Sequence, residues 1–307
     1  MEGVEDGILL INKAEGKTSH DVVQKVRRIL GVSKVGHAGT LDPFATGLLV
    51  ILVGQGTKLS EFLRPLAKTY EAVVRLGIET DTYDRTGKII RKTGEIRITE
   101  DDVQSAVRGF LGEIEQIPPP FSAIKIKGKR AYQLARKGKE VNLAPRKVTI
   151  YEIVLDHMEL PFVGIKVRCS AGTYVRSLAF DLGRKLGCGA YLDKLRRTQV
   201  GQFRVDEAIG SEELERLGKV YLGTKMMSLV EALGNITSVE ITKGLAGKVR
   251  NGYCPRNDEI GCGDSRSSIS GKLIKLVCDK RLVAIASVKE STRKAGERIL
   301  QLERVFS

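Results

Sequence analysis

The stretch GHAGTLDPFATG, residues 36–47, places one carboxylate and one imidazole in a segment rich in glycine and proline. Glycine and proline at this density indicate a shaped loop and not the interior of a helix or strand. Pro43 pushes Asp42 toward extended geometry, so the carboxylate is held on a turn. A carboxylate held on such a turn is a good candidate for chemistry, for instance as a nucleophile. From the spacing alone, an aspartate that bonds its own backbone in a polar turn is the more frequent outcome.

The same stretch resembles the catalytic signature of the TruB family of tRNA pseudouridine synthases, and further motifs follow in the family's order. The resemblance covers nearly the whole chain and is greatest with the bacterial stand-alone enzymes that isomerise uridine-55 of the tRNA T loop. It implies an enzyme that breaks the N1–C1′ bond, turns the uracil and joins C5 to C1′, which is redox-neutral and needs no cofactor. It implies that Asp42 is the catalytic carboxylate. Whether Asp42 adds to the sugar or acts while a glycal-like intermediate forms stays open.

Two other segments complete the catalytic group that the resemblance implies. SAGTYVRSL, residues 170–178, resembles the family's GTYIR-type motif, which implies that Arg176 pairs with Asp42. A nearby cation lowers the pKa of a carboxylate and fixes its position. KTYE, residues 68–71, resembles the KxY motif, which implies that Tyr70 stacks under the uracil and takes part in moving its proton. Without the resemblance, a surface arginine and a half-buried strand tyrosine are the ordinary interpretations.

The resemblance also assigns side chains to the flipped base. A base inside a folded loop must be extruded before a pocket can hold it. His37 matches the family histidine that fills the gap by shape and stacking, although a lone loop histidine is more often a satisfied turn residue. Tyr174 and Leu195 match positions that line the uracil pocket, and core leucine is the alternative for the latter. If the backbone is still extended there, Tyr174 and Arg176 lie on one face.

Lys13 belongs to the segment NKAEGKTS, residues 12–19, which resembles the family's KPxGxxS motif. We expect Lys13 to support the cleft. Ala14 departs from the motif, because proline is usual there. Proline would stiffen the turn, so alanine loosens a local restraint without removing a reactive group.

Residues 121–147 are strongly basic, with nine Lys or Arg residues and one acid, Glu140. A solvated basic loop is the usual interpretation of such a run. The alternative is an arm that grips phosphates, whose charges would each release a counterion on binding. The resemblance favours the arm, since in the family this region looks like an insertion that closes over the T arm of tRNA. Arg130 and Tyr132 lie in a motif that borders this arm.

The overall charge indicates the kind of partner. The chain has 307 residues, 51 of them Lys or Arg and 37 Asp or Glu, which gives a net charge of +14, and its pI is near 9.6. This balance suits a polyanion such as RNA, with an anionic membrane surface as the competing partner. The chain has no 18-residue apolar run and begins with the acidic MEGVEDG, so we expect no membrane span and no signal peptide. A cytoplasmic location is therefore expected.

The cysteine and histidine residues indicate neither a disulfide framework nor a metal site. The five cysteines are odd in number and contain no CxxC pair, and the three histidines are scattered. We expect no structural metal and no cofactor.

Helical and strand patterns alternate without a regular βαβ order, which favours an α+β fold with a mixed, largely antiparallel sheet. The family resemblance implies the same pseudouridine synthase core, with the cleft across the middle of the sheet. The apolar run 48–53 is compatible with strand or helix. The patterns predict a helix from Thr18 or Ser19 to Gly31, a helix from about Thr99 with Phe110 and Leu111 on its apolar face, a helix over Ser177–Leu186, and strands over Tyr70–Leu76 and around Ile165–Cys169.

We expect two domains, a catalytic domain over residues 1–232 and a small RNA-binding domain over residues 233–307. The second part carries 14 basic and eight acidic side chains and resembles a PUA domain, a β-barrel-like module. Its β-like pieces are predicted at residues 241–244, 250–252, 271–277 and 282–288.

The leading hypothesis is a stand-alone enzyme that acts on the T arm of tRNA as a monomer, without a protein partner. A guide-RNA-dependent relative that modifies ribosomal RNA is the second, but such proteins generally lack the basic insertion. The third is an RNA chaperone that remodels tRNA, with modification as a secondary activity. The fourth is a basic module that binds RNA without chemistry.

Overall fold

The computed structural model describes residues 6–126, 128–139, 141–260, 273–290 and 298–307. Cys262, Lys127, Glu140 and the start of the piece predicted at 271–277 lie outside the described residues. The described helices are α1 (Ser19–Leu30), α2 (Ser60–Leu63), α3 (Glu100–Arg108), α4 (Ala131–Ala135), α5 (Val175–Lys185), α6 (Leu214–Thr224), α7 (Leu229–Ala232) and α8 (Lys243–Arg250).

The described strands are β1 (Gly7–Lys13), β2 (Val35–His37), β3 (Thr46–Val53), β4 (Lys68–Leu76), β5 (Ile78–Thr80), β6 (Ile89–Lys92), β7 (Gly112–Gln116), β8 (Lys125–Ile126), β9 (Lys129–Arg130), β10 (Arg146–Glu159), β11 (Phe162–Cys169), β12 (Ala190–Val200), β13 (Phe203–Arg204), β14 (Ile209–Gly210), β15 (Thr237–Glu240), β16 (Leu273–Cys278), β17 (Arg281–Glu290) and β18 (Arg298–Val305). Ten of them form one sheet in the order β14-β1-β3-β12-β4-β11-β10-β7, with β13 beside β12 and β2 beside β3. Within this sheet of described strands, β1 with β14 and β3 with β12 pair in parallel, and the other pairs are antiparallel. The expected α+β fold with a mixed, largely antiparallel sheet is therefore confirmed.

The apolar run 48–53 is a strand, and the structure shows why it is apolar on both faces. Leu49, Ile51 and Val53 pack into the main core with α1, α3 and α5. The alternate side chains of β3 pack into a second core, to which α7 and the C-terminal strands contribute. A strand covered on both sides loses the alternation that marks a half-exposed strand, so periodicity could not assign it.

The first predicted helix is confirmed with its ends. Thr18 caps α1 by accepting from the Asp21 N–H, and the Asp21 side chain accepts in return from the Thr18 N–H. Gly31 ends α1 in the left-handed conformation, with φ of 69°. This places Ser19 and the start of α1 against the loop that carries Asp42.

Two helix predictions need correction. α3 begins after Thr99 as expected but ends at Arg108, so Phe110 and Leu111 lie beyond it, and Leu111 is exposed. α5 begins at Val175, two residues before the predicted Ser177, so the backbone is not extended through Arg176. Tyr174 is the cap residue and Arg176 lies in the first helical turn, because the turn at Gly172 redirects the chain before the helix starts.

The C-terminal region forms a four-stranded sheet, β15-β16-β17-β18, with its own apolar cluster against α8. The strands predicted at 271–277 and 282–288 are confirmed where they are described. The pieces predicted at 241–244 and 250–252 are wrong as strands, because they form the two ends of α8. The described strands do not close into a barrel, and the division at residue 233 stays a prediction.

The C-terminal sheet is attached to the rest of the chain by buried contacts. Phe306 is 2% exposed and lies in the second core. The buried Lys275 ammonium donates to the carbonyls of Val230 and Leu233 at 2.8 and 3.0 Å.

Among the described residues, no helix has the length and apolarity that a membrane crossing requires. The same residues contain no group of three or more His, Cys, Asp and Glu side chains placed to hold a metal ion.

Candidate active site

A cleft of about 1550 Å³ brings together segments that are far apart in sequence. Its walls come from the β2–β3 loop, β4, the basic insertion, the turn before α5 and β12. Eight of the nine predicted site residues line it, namely His37, Asp42, Tyr70, Arg130, Tyr132, Tyr174, Arg176 and Leu195. The ninth, Lys13, is fully buried behind the loop that carries Asp42.

The loop that carries Asp42 is held by backbone and side-chain bonds to the N-terminal segment. Ser19 Oγ donates to the Leu41 carbonyl at 3.1 Å and accepts from the Leu41 N–H at 2.9 Å. The Gly16 N–H donates to the Pro43 carbonyl at 2.8 Å. The carboxylate therefore projects from a loop whose two sides are fixed, which is what a positioned reactive group requires.

Lys13 supports this loop from behind, as expected. Its ammonium donates to the carbonyls of Ala14, Lys17 and Pro43 at 2.9, 2.8 and 3.2 Å. Burial lowers the pKa of Lys13 to about 8, and the Asp42 carboxylate opposes that shift. The Ala14 N–H donates to Ser211 Oγ at 2.9 Å, a bond that proline could not make. In this chain, the Ala14–Ser211 hydrogen bond thus restrains the turn at the position where the motif usually carries proline.

Arg176 joins the Asp42 loop to two other segments, the loop of Thr82 and Asp84 and the segment of Phe121. Its Nε lies 2.9 Å from Asp42 Oδ2, and Nη2 donates to Oδ1 at 3.3 Å. Nη1 lies 3.4 Å from Asp84 Oδ2 and donates to the Thr82 carbonyl at 3.2 Å. Nη2 also donates to the Phe121 carbonyl, at 3.1 Å. The guanidinium, 5% exposed, therefore contacts the carboxylate at two points, by a hydrogen bond from Nη2 and by an ion-pair contact at Nε.

The electrostatics of Asp42 differ in direction from the sequence-based expectation. We expected a nearby cation to lower the pKa. Burial instead raises the pKa of the Asp42 carboxyl, Arg176 opposes the rise, and the Asp84 carboxylate adds to it. The side chain of Asp42 is still one-third exposed, at 33%, so it can meet a substrate in the cleft.

Asp84 is a site residue that the sequence analysis missed. It is 4% exposed, and its Oδ1 accepts from Thr82 Oγ1, the Thr86 N–H and Thr86 Oγ1 at 2.8, 2.9 and 2.6 Å. Its other oxygen faces Arg176. The segment TDTYDRTG, residues 80–87, contains two acids, three threonines and a glycine directly after a strand. That density of turn-forming polar residues was a signal for a shaped loop.

Tyr70 and Tyr174 stand on different elements of the cleft. Tyr70 lies on β4 and is 8% exposed; burial raises the pKa of its hydroxyl, and Arg197 opposes that shift. Tyr174 is fixed through its backbone by Gln116, which accepts from the Tyr174 N–H at 2.7 Å and donates to its carbonyl at 3.0 Å. Gln116 is buried, and nothing in its local sequence marked it.

His37 and Leu195 complete the walls. The Gly39 N–H donates to His37 Nδ1 at 3.2 Å, which requires that nitrogen to be unprotonated. Burial lowers the pKa of His37, and so does the Arg197 cation. A neutral, half-buried ring at the rim suits stacking and shape. Leu195 is 8% exposed and opposes Ala72 across β12 and β4.

The basic insertion borders the entrance. Its first part folds back on itself, because the Tyr132 N–H donates to the Ser122 carbonyl at 3.0 Å and β8 pairs with β9. Arg130, Tyr132 and Arg136 line the cleft, and the Arg136 guanidinium lies 5.5 Å from the Tyr132 ring centre. Cations and an aromatic ring thus face the side from which a polyanion would enter.

Comparison with solved structures supports the fold. A chain in the crystal structure of a Cbf5-Nop10-Gar1 complex is 26% identical, with a TM-score of 0.75 and coverage of 99% of this chain and 86% of that chain. A chain in the structure of an H/ACA RNP bound to a substrate RNA containing 2′-deoxyuridine is 25% identical, with a TM-score of 0.73 and coverage of 99% and 86%.

Curated relatives are closer in sequence. A tRNA pseudouridine synthase B of Geobacter sulfurreducens is 40% identical over 303 residues, 98% of this chain and all of that protein. The protein of the same name from Aromatoleum aromaticum is 47% identical over 251 residues, 81% of this chain and 80% of that one.

Two family models match adjacent parts of the sequence. The N-terminal domain of the TruB family pseudouridylate synthases matches residues 27–175, which include Asp42 and Tyr70. The C-terminal domain of tRNA pseudouridylate synthase B matches residues 176–233, which begin at Arg176. Asp42 and Arg176, whose side chains meet on the inner wall of the cleft, its floor, therefore belong to different family models. With relatives that match over nearly its full length, this chain belongs to the TruB family of pseudouridylate synthases.

Proposed function

We propose that the protein converts uridine-55 in the T loop of tRNA to pseudouridine. The observation that carries the proposal is the two-point pairing of Asp42 with the buried Arg176 on the floor of a cleft with a basic entrance. The family supplies the reaction class, and the relatives' name supplies tRNA as the substrate.

Asp42 is the group proposed to act on the sugar. The N1–C1′ bond breaks, the uracil turns, a C5–C1′ bond forms, the C5 proton leaves and N1 gains a proton. No electron acceptor or donor enters this balance, so no cofactor is needed. The carboxylate acts at C1′, either by adding to it or while a glycal-like intermediate forms; Arg176 keeps its oxygens oriented and favours their charged form.

The other predicted residues have proposed roles around the turning base. Tyr70 stacks under the uracil, and its hydroxyl takes part in the proton transfer at C5. Tyr174 and Leu195 form pocket walls, and His37 fills the gap that the flipped uridine leaves in the T loop. Lys13 maintains the loop of Asp42 without contacting the substrate.

The basic insertion is proposed to grip the T arm. Arg130 and Tyr132 lie at the entrance, and the cations that the structure describes within residues 121–147 are exposed. Binding through such groups releases counterions and depends steeply on salt. The stacking groups deeper in the cleft are uncharged. This arrangement favours contacts with the RNA phosphate backbone at the entrance and contacts with the base inside the cleft.

We further propose that the protein acts as a monomer in the cytoplasm and needs no protein partner. The guide-RNA-dependent alternative is suggested by the fold neighbours, which come from multi-component particles. It is disfavoured because the named tRNA enzymes share 40% identity or more with this chain, against 26% for the neighbour in the Cbf5-Nop10-Gar1 complex. Activity of the purified protein on bare tRNA distinguishes the two.

The test uses unmodified tRNA transcript tritiated at uracil C5 and the purified full-length protein. The wild type is expected to release tritium, and mapping of the product is expected to place pseudouridine in the T loop. Asp42→Asn, which keeps the size but removes the charge, is expected to bind tRNA and release none.

Asp206→Asn is the matched control, because Asp206 is an exposed carboxylate paired with Arg204 on the same short segment, away from the cleft. It should behave as the wild type. If Asp42→Asn releases tritium at the wild-type rate, the proposed role of Asp42 is wrong. If tRNA folding is restored by Asp42→Asn as well as by wild type, the chaperone activity is separable from the chemistry.

A further inference from the structure

Arg197 lies beneath the cleft and binds the backbone on both sides of the catalytic loop. It is 2% exposed. Its Nη2 donates to the Gly39 carbonyl at 3.1 Å and Nη1 to the Thr40 carbonyl at 3.2 Å. Its Nε donates to the Leu48 carbonyl at 2.8 Å, beyond the loop. One guanidinium thus binds the backbone both before and after Asp42 and holds the two ends of its loop together.

The same guanidinium also meets Tyr70. In the antiparallel pairing of β12 with β4, Arg197 stands directly opposite Tyr70, so the two side chains share one face of the sheet. The Arg197 cation opposes the rise that burial causes in the pKa of the Tyr70 hydroxyl, as expected for a charge close to that group. Arg197 therefore bonds the backbone of the loop that carries Asp42 and is the cross-strand neighbour of Tyr70.

The backbone of Arg197 is held as closely as its side chain. Parallel pairing of β12 with β3 places Arg197 beside Gly47, which has a φ of 99°. A Cβ at Gly47 would lie 2.2 Å from the Arg197 carbonyl oxygen, so no other residue fits there without movement. Gly47 follows the catalytic loop directly, and this close approach ties the loop's end to β12.

We propose that Arg197 is a positioning residue for the isomerisation, one that keeps Asp42 and Tyr70 in a constant relative placement while the uracil turns between them. The inference rests on the proposed function. Its basis is shape as much as charge, because a planar guanidinium with five donors reaches the carbonyls of Gly39, Thr40 and Leu48 at once while lying beside Tyr70. A lysine ammonium is a compact charge on a flexible stem and cannot reach all of them.

The sequence contained a signal for this residue. In KLRRT, residues 194–198, Leu195 was assigned to the cleft wall, and successive strand residues alternate between faces. Arg197, two positions on, should then face the cleft, while Arg196 should face away. The structure agrees, since Arg197 lines the cleft and Arg196 lines a separate hollow of about 410 Å³.

The experiment compares Arg197→Lys and Arg197→Met with Arg196→Met, the matched control on the other face of the sheet. In single-turnover assays with saturating tRNA, Arg197→Lys should slow pseudouridine formation by about 100-fold, the scale expected for misplacement of reacting groups by about 1 Å. The Kd for tRNA should stay at the wild-type value. Arg197→Met, which leaves three carbonyls without their donor, should be slower still, and Arg196→Met should match the wild type.

A double-mutant cycle supplies a readout that a purely structural role would not move. If Arg197 acts partly through the Tyr70 hydroxyl, Tyr70→Phe combined with Arg197→Lys should lose less than the product of the two separate losses. Multiplicative losses, a parallel loss of tRNA affinity, or an Arg197→Lys protein that does not fold would each overturn the inference. A wild type without activity in the same assay would instead overturn the proposed function itself.

Discussion

The cleft floor and the basic insertion both carry positive charge, but they hold it in opposite ways. Arg176 on the floor and Lys13 behind the Asp42 loop are 5% and 0% exposed, and their donors are directed at carbonyls and carboxylates. In the insertion, Lys125, Arg130 and Arg136 are exposed, and in the part of the chain that the structure describes none of them forms an ion pair. The floor cations have partners within the protein, whereas these three cations of the insertion stay available to an outside partner; Lys147, at the end of the insertion, pairs with Glu113.

This difference assigns the two regions different tasks. A buried charge without a partner is costly, so the floor's cations must have fixed partners, and those partners make its geometry precise enough for chemistry. Exposed cations cost little and stay mobile, which suits the accommodation of a flexible polyanion. Substitutions on the floor should therefore affect rate or stability, and substitutions in the insertion should affect binding and its salt dependence.

The largest effect is expected for Arg176→Lys on the floor. Lysine keeps the charge but cannot make the two-point contact with Asp42 or reach Asp84 as well. The single-turnover rate should fall by about 100- to 1000-fold, the range seen when one catalytic donor is removed. Kd for tRNA should stay unchanged by filter binding. A rate loss explained wholly by weaker binding would break the comparison between floor and insertion.

Acid should inactivate the wild type at a higher pH than a free aspartate would require. The proposed reaction needs the Asp42 carboxylate, and the pKa of that group is raised above its ordinary value of about 3.9. The carboxyl therefore takes up its proton earlier as the pH falls, and below its pKa the rate should drop about tenfold per pH unit. Rate–pH profiles at saturating tRNA test this, with circular dichroism to exclude acid unfolding. A rate that is constant down to about pH 4 would contradict the raised pKa.

Lys13→Met should lower stability more than activity on correctly folded protein. The substitution leaves the Pro43, Lys17 and Ala14 carbonyls without a donor, so the free energy of unfolding should fall by about 2 to 3 kcal/mol. Urea denaturation measures this. Lys17→Met is the control, because its side chain is exposed on the same segment; equal losses in the two variants would show that burial of Lys13 is unimportant.

Removal of insertion charges should weaken binding and leave the chemistry intact. For Lys125→Gln combined with Arg136→Gln, the slope of log K against log salt should shrink by about 0.7 to 0.9 for each phosphate that the protein no longer neutralises. The rate at saturating tRNA should equal that of the wild type. Lys219→Gln, an exposed lysine on α6, is the control. An unchanged salt slope would remove the insertion from the binding surface.

The smallest effect is expected at an exposed ion pair between the C-terminal sheet and α2. Arg304 pairs with Glu61, and both side chains are nearly half exposed. Glu61→Gln should lower the free energy of unfolding by less than about 1 kcal/mol, because such pairs are solvated and screened. A larger loss of unfolding free energy, measured by thermal or urea denaturation, would show that this ion pair contributes more to the attachment of the sheet than the buried Phe306 does.

Sequence patterns predicted the elements whose information is local. The ends of α1 follow from Thr18, Asp21 and Gly31, which lie within or beside the helix, and the half-exposed strand β4 shows its alternation directly. Where the signal was not local, prediction stopped or was wrong. The run 48–53 is ambiguous because both faces of β3 are covered. The strands predicted at the two ends of α8 are wrong because such short segments, ITKG and RNG, carry too little pattern to distinguish a strand from a helix end.

The site divides in the same way. By itself, the sequence determined the positive charge that a polyanion would meet, and it predicted the side chains proposed for the chemistry through the motifs around Asp42, Tyr70 and Arg176. Only the tertiary structure decided how they act together, because Asp42 and Arg176 are 134 residues apart and meet through sheet topology. Asp84 and Arg197 become partners of these residues for the same reason. A buried charge needs several partners at fixed distances, and no single segment of chain can supply them.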